Sequence, residues 1–152
     1  MLGEKDLGRE VTVSGWVLSK RDMGGIIFID LRDREGTLQV VFDSGIAPPE
    51  DFHMAEGLRN QSVLSVTGKI RIRDEETYNP KIPTGTIELA AAHAELLSSA
   101  DPLPFSPDDN VHVREDLRLR YRYIDLRRPR MVENLRMRQR VVRAAQTFLD
   151  GR

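Results

Sequence analysis

Apolar and polar positions alternate through most of the first hundred residues. Between Val63 and Arg73, Leu64, Val66, Gly68, Ile70 and Ile72 share one parity, while Ser65, Thr67, Lys69, Arg71 and Arg73 share the other. Such a period of two belongs to a strand with one buried and one wet face. Residues 10–20 repeat it, with Val11, Val13, Gly15 and Val17 set against Thr12 and Ser14. The interior Gly15 predicts a bulge or sharp bend, which lets one strand serve two parts of a closed barrel. Ile26-Ile27-Phe28-Ile29 and Val40-Val41-Phe42 flank a charged turn closed by Gly36, the pattern of a β-hairpin. Gly85 opens a last strand with Ile87, Leu89 and Ala91 toward the core and Glu88 outward. Before Val63, Pro48-Pro49-Glu50 starts a short helix predicted to run to about Arg59, its acids complementing the helix dipole. This helix is expected to plug one end of the sheet.

The predicted order is βββαβ. It fits a mainly β fold, the five-stranded Greek-key barrel of the OB type, whose middle strands and connecting loops bind oligonucleotides. A small antiparallel sandwich is the alternative. From Ser98 to Val113 the chain carries three prolines, acids and small polar residues, the composition of an extended linker. Beyond it Pro129 can occupy a first helical position, and Leu135, Val142, Ala145 and Leu149 recur at helical spacing, with Arg136, Arg140 and Arg143 on another face. The expected organisation is a barrel over 1–97, a linker or hinge over 98–130 and a helix over 131–152.

The first hairpin strand is apolar on both parities. If Ile27, Ile29 and Leu31 point inward, Phe28 and Asp30 point out; on the next strand Leu38, Val40 and Phe42 go in, and Gln39 and Val41 go out. An outward aromatic ring beside amide, carboxylate and basic groups is what single-stranded nucleic acid requires. The ring stacks on a base for ~1–3 kcal/mol, and the polar groups hydrogen-bond to base edges. Alternatively, Phe28 caps the barrel beneath the turn Lys20–Gly25 or a long loop.

The hydrophobic content of 39% suits one good core plus an appendage. The net charge of −1 conceals an asymmetry: residues 1–110 carry eleven Lys/Arg and nineteen Asp/Glu, a net −8, whereas residues 111–152 carry twelve Arg and five acids, a net +7. An all-arginine basic tail is either a nucleic-acid footprint or a solvated face paired with acids of the same protein. With no cysteine there is no disulfide framework, thiol nucleophile or zinc–thiolate site. No stretch approaches membrane-spanning length and the first residues lack a secretory pattern, so a cytoplasmic setting without membrane partners is expected. His53, His93 and His112 stand apart without metal-ligand spacing, and Gly24-Gly25 lacks the rest of a phosphate loop. The residues offer no catalytic constellation and no metal site.

The stretch LRLRYRYIDLRRPRMVENLRMR, residues 117–138, together with RDMGGIIFIDLRDREGTLQVV from Arg21 to Val41 and PTGTIEL from Pro83 to Leu89, resembles the bacterial type of aspartyl-tRNA synthetase. That likeness implies an N-terminal anticodon-binding barrel and a hinge leading to a class II catalytic domain. It implies that the aromatic at 28 stacks on the middle anticodon base, a uridine, that Gln39 hydrogen-bonds nearby, and that Glu88 lies at the same site. Basic residues before the first turn would contact the anticodon loop; the family often has three arginines there, whereas this chain has Ser19-Lys20-Arg21. Lys20 and Arg21 are therefore candidates, and Arg73 completes the anticodon-binding set. The implied partner is the tRNA(Asp) anticodon loop. The full-length enzyme would be a homodimer using ATP and magnesium, while this chain needs no cofactor. Because the family's class II motifs lie downstream of a helix like 131–150, the chain alone is expected to be an inactive piece of the ligase. A free-standing OB module binding RNA or single-stranded DNA without catalysis is the alternative function, and a self-associating role for the last helix is a third possibility.

Overall fold

The computed structural model describes residues 2–151, so Met1 and Arg152, the end members of the expected barrel and last helix, lie outside the described residues. The chain divides into one unit ending at Asp101 and a second beginning at Pro102. In the first, β1 (Glu10–Asp22), β2 (Ile26–Arg32), β3 (Thr37–Asp43), α1 (Pro49–Gly57), β4 (Val63–Ile72) and β5 (Ile87–Ser98) follow in the order the alternation predicts. The strands close a barrel in the order β1-β2-β3-β5-β4. All neighbours are antiparallel except β3 and β5, which run parallel.

Strand β1 is long enough to belong to two ladders. Its first half, Glu10 to Trp16, pairs with β4, and from Trp16 to Asp22 it pairs with β2, with a bulge between Val17 and Ser19. Gly15 sits at the changeover, where an added Cβ would lie 2.7 Å from the Arg32 carbonyl oxygen. Only a residue without a side chain lets the two strands approach there. The changeover between ladders therefore falls beside the predicted glycine, and the bulge follows between Val17 and Ser19.

The inward parity is buried as the alternation requires. Val17, Ile27, Ile29, Val40, Phe42, Leu64, Val66, Ile87 and Leu89 are inaccessible to solvent, each side chain contributing about 1.5–3 kcal/mol on burial. Ile72 shares the parity of Ile70 but is 59% exposed, because it has passed the rim of the barrel. Helix α1 is pinned through its buried Asp51, whose Oδ2 accepts from the Ala94 amide and from His93 Nδ1, both at 3.0 Å. Among the described residues no helix is long and apolar enough to cross a membrane.

The second unit is more ordered than a linker. Besides α4 (Pro129–Asp150), which takes Pro129 as its first residue and so starts two positions before the expected bound at 131, it contains α2 (Glu115–Arg120) and α3 (Arg122–Asp125). These two short helices carry no apolar stripe that the sequence pattern could reveal. They gather around one carboxylate, the fully buried Asp125. It accepts from Arg118 Nε and from Arg122 Nη1, each at 2.7 Å, with Arg128 Nη1 at 3.9 Å. Arg128 also donates Nη2 to the carbonyls of Asp108, Asp109 and Val111, tying the preceding loop to the start of α4. Three arginines of the basic tail are thus committed to an acid of their own unit. No side chain of α4 is buried.

Two consequences are measurable. At Gly68, a Cβ would run into the carbonyl oxygen of Ala90 on β5. Gly68→Ala is expected to destabilise the barrel by about 2–3 kcal/mol in urea unfolding. In the second unit, hydrogen bonding from Arg118 holds the Asp125 carboxyl below the ordinary carboxylate range, against the opposing effect of burial. A depressed folded-state value gives stability that is present above the unfolded value and lost as pH falls through the folded one. Asp125→Asn should cost about 2 kcal/mol at neutral pH, less than a fully buried pair because the guanidinium groups stay partly exposed. The difference from the unsubstituted protein should shrink below about pH 4, followed by circular dichroism.

Candidate nucleic-acid interface

Barrel closure arranges the outward side chains in ranks that cross all five strands. One rank is Ser19–Asp30–Gln39–Glu88–Arg71, and the next is Arg21–Phe28–Val41–Ala90–Lys69, each residue opposite its neighbour in the strand register. The first rank is polar throughout. The second has an apolar middle with a cation at either end.

Hydrogen bonds knit these side chains together. Ser19 Oγ donates to Asp30 Oδ2 at 2.6 Å. Gln39 Nε2 donates to Glu88 Oε2 at 2.8 Å, and Arg71 Nε donates to Glu88 Oε1 at 2.7 Å. Arg21 links the two ranks, since its Nη2 donates to Gln39 Oε1 at 3.0 Å while its guanidinium carbon lies 5.7 Å from the centre of the Phe28 ring. Phe28 is half-buried on this outer face.

Phe28, Arg21, Gln39 and Glu88, four of the residues singled out from the sequence, therefore come together. Their exposure differs from expectation. Gln39 is only 2% exposed and Glu88 6%, and the outward Val41 is buried as well. Parity places them on the outer face, but cross-strand neighbours cover them, which alternation along one strand cannot reveal.

Two expected members take other places. Lys20 stands opposite Ile29, on the core-facing parity, and its Nζ donates to the carbonyls of Ala55 and Glu56. It caps the C-terminal end of α1, where a cation opposes the exposed carbonyl dipoles, instead of joining the ranks. Arg73 is 5% exposed, not a free surface cation. Its Nε donates to Ile87 O at 3.0 Å and its Nη1 to Thr77 O at 3.4 Å, while its buried Nη2 has no hydrogen-bond partner among the described residues. Burial pushes its pKa down, opposed by the nearby carboxylates of Glu88 and Asp30. Arg71 was missed in favour of Arg73. Its signal was present, since it shares the wet parity of β4, but its partner Glu88 lies across a strand pairing that one sequence does not reveal.

A hollow of about 690 Å³ opens elsewhere on the barrel, among Arg9, Val11, Leu31, Asp33 and Thr84, and contains none of the polar-rank residues. Among the described residues no group of three or more His, Asp or Glu could hold a metal ion. His53 pairs with Glu56 and His93 with Asp51.

A barrel of this topology with a half-buried aromatic ring and hydrogen-bonding groups on its outer face is the architecture of a nucleic-acid-binding module. The model of the tRNA anticodon family, described as the OB-fold nucleic acid binding domain, matches residues 11–97, and the chain belongs to that family. It is 53% identical over 147 residues to an aspartate–tRNA(Asp/Asn) ligase of Moorella thermoacetica, covering 97% of this chain and 24% of that protein. It is 48% identical to the ligase of the same name from Syntrophomonas wolfei, over 96% of this chain and 25% of that one. The chain thus spans about a quarter of the length of the curated relatives it matches. Among solved structures, the aspartyl-tRNA synthetase of Entamoeba histolytica superposes with a TM-score of 0.83 at 19% identity, over 98% of this chain and 36% of that one. The asparaginyl-tRNA synthetase of Pyrococcus horikoshii gives 0.81 at 23%, over 97% and 32%. At these identities the likeness shows a shared fold.

The position of Lys20 separates stability from binding. Lys20→Ala should lower thermal stability by about 1 kcal/mol through loss of the helix cap. Its affinity for RNA should stay within about twofold of the unsubstituted protein in a fluorescence titration at fixed salt.

Proposed function

We propose that this chain recognises a tRNA anticodon loop as the N-terminal part of an aspartate–tRNA ligase. The supporting observation is the pair of ranks on the outer face, with a half-buried ring at one side and a hydrogen-bonded amide and carboxylate beside it. The relatives at about half identity, named as ligases for tRNA(Asp/Asn), support the choice of substrate.

The chemistry follows from the groups present. An unpaired middle base of the anticodon stacks on Phe28, contributing ~1–3 kcal/mol. In the free protein Arg21 lies over that ring and donates to Gln39 Oε1, so an arriving base displaces a cation–π contact of about 0.5–1 kcal/mol together with that hydrogen bond, which a bond to the RNA replaces. The freed guanidinium turns toward the base edge or the phosphate behind it. Gln39 and Glu88 then present an amide and a carboxylate to the polar edges, while the buried Arg73 contributes its charge near Glu88 and makes no direct contact with the base. The tRNA of this reading is tRNA(Asp). Ligation belongs to the whole protein, which in this proposal acts in the cytoplasm as a homodimer and uses ATP and magnesium in its catalytic part. No residue of this chain is assigned to them.

Titration of the 152-residue chain with an anticodon stem-loop carrying GUC tests the proposal. Tighter binding than to a loop with a changed middle base is expected, and Phe28→Ala should weaken it about 5- to 150-fold. Equal affinity for unrelated oligonucleotides, with a steep salt dependence, would identify a sequence-indifferent binder instead.

A further inference from the structure

Gln39 carries the one carboxamide in the two ranks, and a carboxamide has two faces of opposite character. Its oxygen only accepts and its nitrogen only donates. In isolation the group rotates by half a turn at little cost, and its edge then offers donor and acceptor in the reverse order. A base-reading amide is useful only if something decides between these orientations.

Here the decision is made by groups that cannot exchange roles. The Glu88 carboxylate accepts only, and it takes the Gln39 Nε2–H at 2.8 Å. The Arg21 guanidinium donates only, and it gives its Nη2–H to Gln39 Oε1 at 3.0 Å. Turning the amide over would set oxygen against carboxylate and NH₂ against guanidinium, losing two charge-assisted bonds at once. Arg21 is exposed and lies where a ligand would arrive, so it is a poor permanent anchor. Glu88 is buried, and its other oxygen is held by Arg71 Nε at 2.7 Å. Arg71 also supplies the charge that lets a carboxylate remain in a covered site.

We infer that Arg71 is a positioning residue for base selection: by fixing Glu88 it locks the orientation of the Gln39 carboxamide before RNA arrives. The inference rests on the anticodon function proposed above, but the lock itself is a property of the free protein. Arg71 acts at second hand, two side chains away from the amide edge it sets. Its contribution is therefore to discrimination between bases more than to total affinity.

Two measurements on the full 152-residue chain decide it. The first is the ¹H–¹⁵N side-chain signal of Gln39 in the absence of RNA, identified by its loss in Gln39→Leu. It should show two well-separated amide protons in the native protein and in Arg71→Lys, and converging shifts with faster exchange in Arg71→Ala. The second is the ratio of affinities for the GUC stem-loop and one with a changed middle base. Arg71→Ala should bind the GUC loop about tenfold more weakly and the changed loop with little loss, so that the ratio falls; Arg71→Lys should restore most of it. Unchanged Gln39 signals in Arg71→Ala would overturn the lock. An equal loss on both loops, or a reduced salt slope at constant ratio, would overturn the positioning role and assign Arg71 to the RNA backbone. Should Arg71→Ala not fold, Glu88→Gln carries the test: with Arg71 Nε still donating to its oxygen, a carboxamide at 88 turns its NH₂ toward Gln39, can no longer accept the Gln39 Nε2–H, and the ratio should fall. If the native chain shows no preference between the two loops, the anticodon function fails, while the Gln39 signals still decide the lock.

Discussion

The short parallel ladder between β3 and β5 is the constraint on which both barrel and site depend. It consists of Gln39 opposite Glu88, Val40 opposite Leu89 and Val41 opposite Ala90. Parallel pairs are slightly weaker per residue than antiparallel ones, and no tight turn holds these strands together. They meet because the core demands it: Val40 and Leu89 are both inaccessible to solvent, and opening this seam would expose them. It would also leave two edges of unpaired backbone groups. The same seam brings Gln39 to Glu88 across 49 positions of sequence. Fold closure and assembly of the outer-face network are one event.

The barrel was readable because its interior and exterior positions differ in polarity and each strand runs long enough to show it. The succession of elements along the chain, the first turn of α1 and the glycine beside the ladder changeover all follow from local chemistry. The outer face was readable only as far as parity, which fixes direction. How much water reaches Gln39 or Glu88 depends on neighbours from other strands, and those are set by closure. Lys20 illustrates the limit. As a cation before a turn it looks like a phosphate contact, yet the bulge at Leu18 shifts the register and sends it to the end of α1. Arg73 is the reverse case, a residue on the wet parity that the loop after β4 covers.

The second unit follows different rules. A run of arginines gives no period from which to read α2 and α3, and its positive charge invites an intermolecular explanation. In the folded unit Arg118, Arg122 and Arg128 converge on Asp125, so part of the charge has an internal purpose. The three guanidinium charges are arranged around a buried anion much as apolar side chains are arranged around a core. Helix α4 was readable from its spacing and from Pro129, because a 22-residue helix shows its period without help from tertiary contacts.

The polar rank also bears on how such a face can diversify. Gln39, Glu88, Arg71 and Arg21 satisfy one another, so replacing any one strands the hydrogen-bonding capacity of another, and their substitution effects will not add. A lineage that changes the base it accepts must pass through intermediates with a buried group left unmatched, or exchange several members together. Under the proposed function, recognition on this barrel changes as a block, because each of the four side chains holds the hydrogen bond of another.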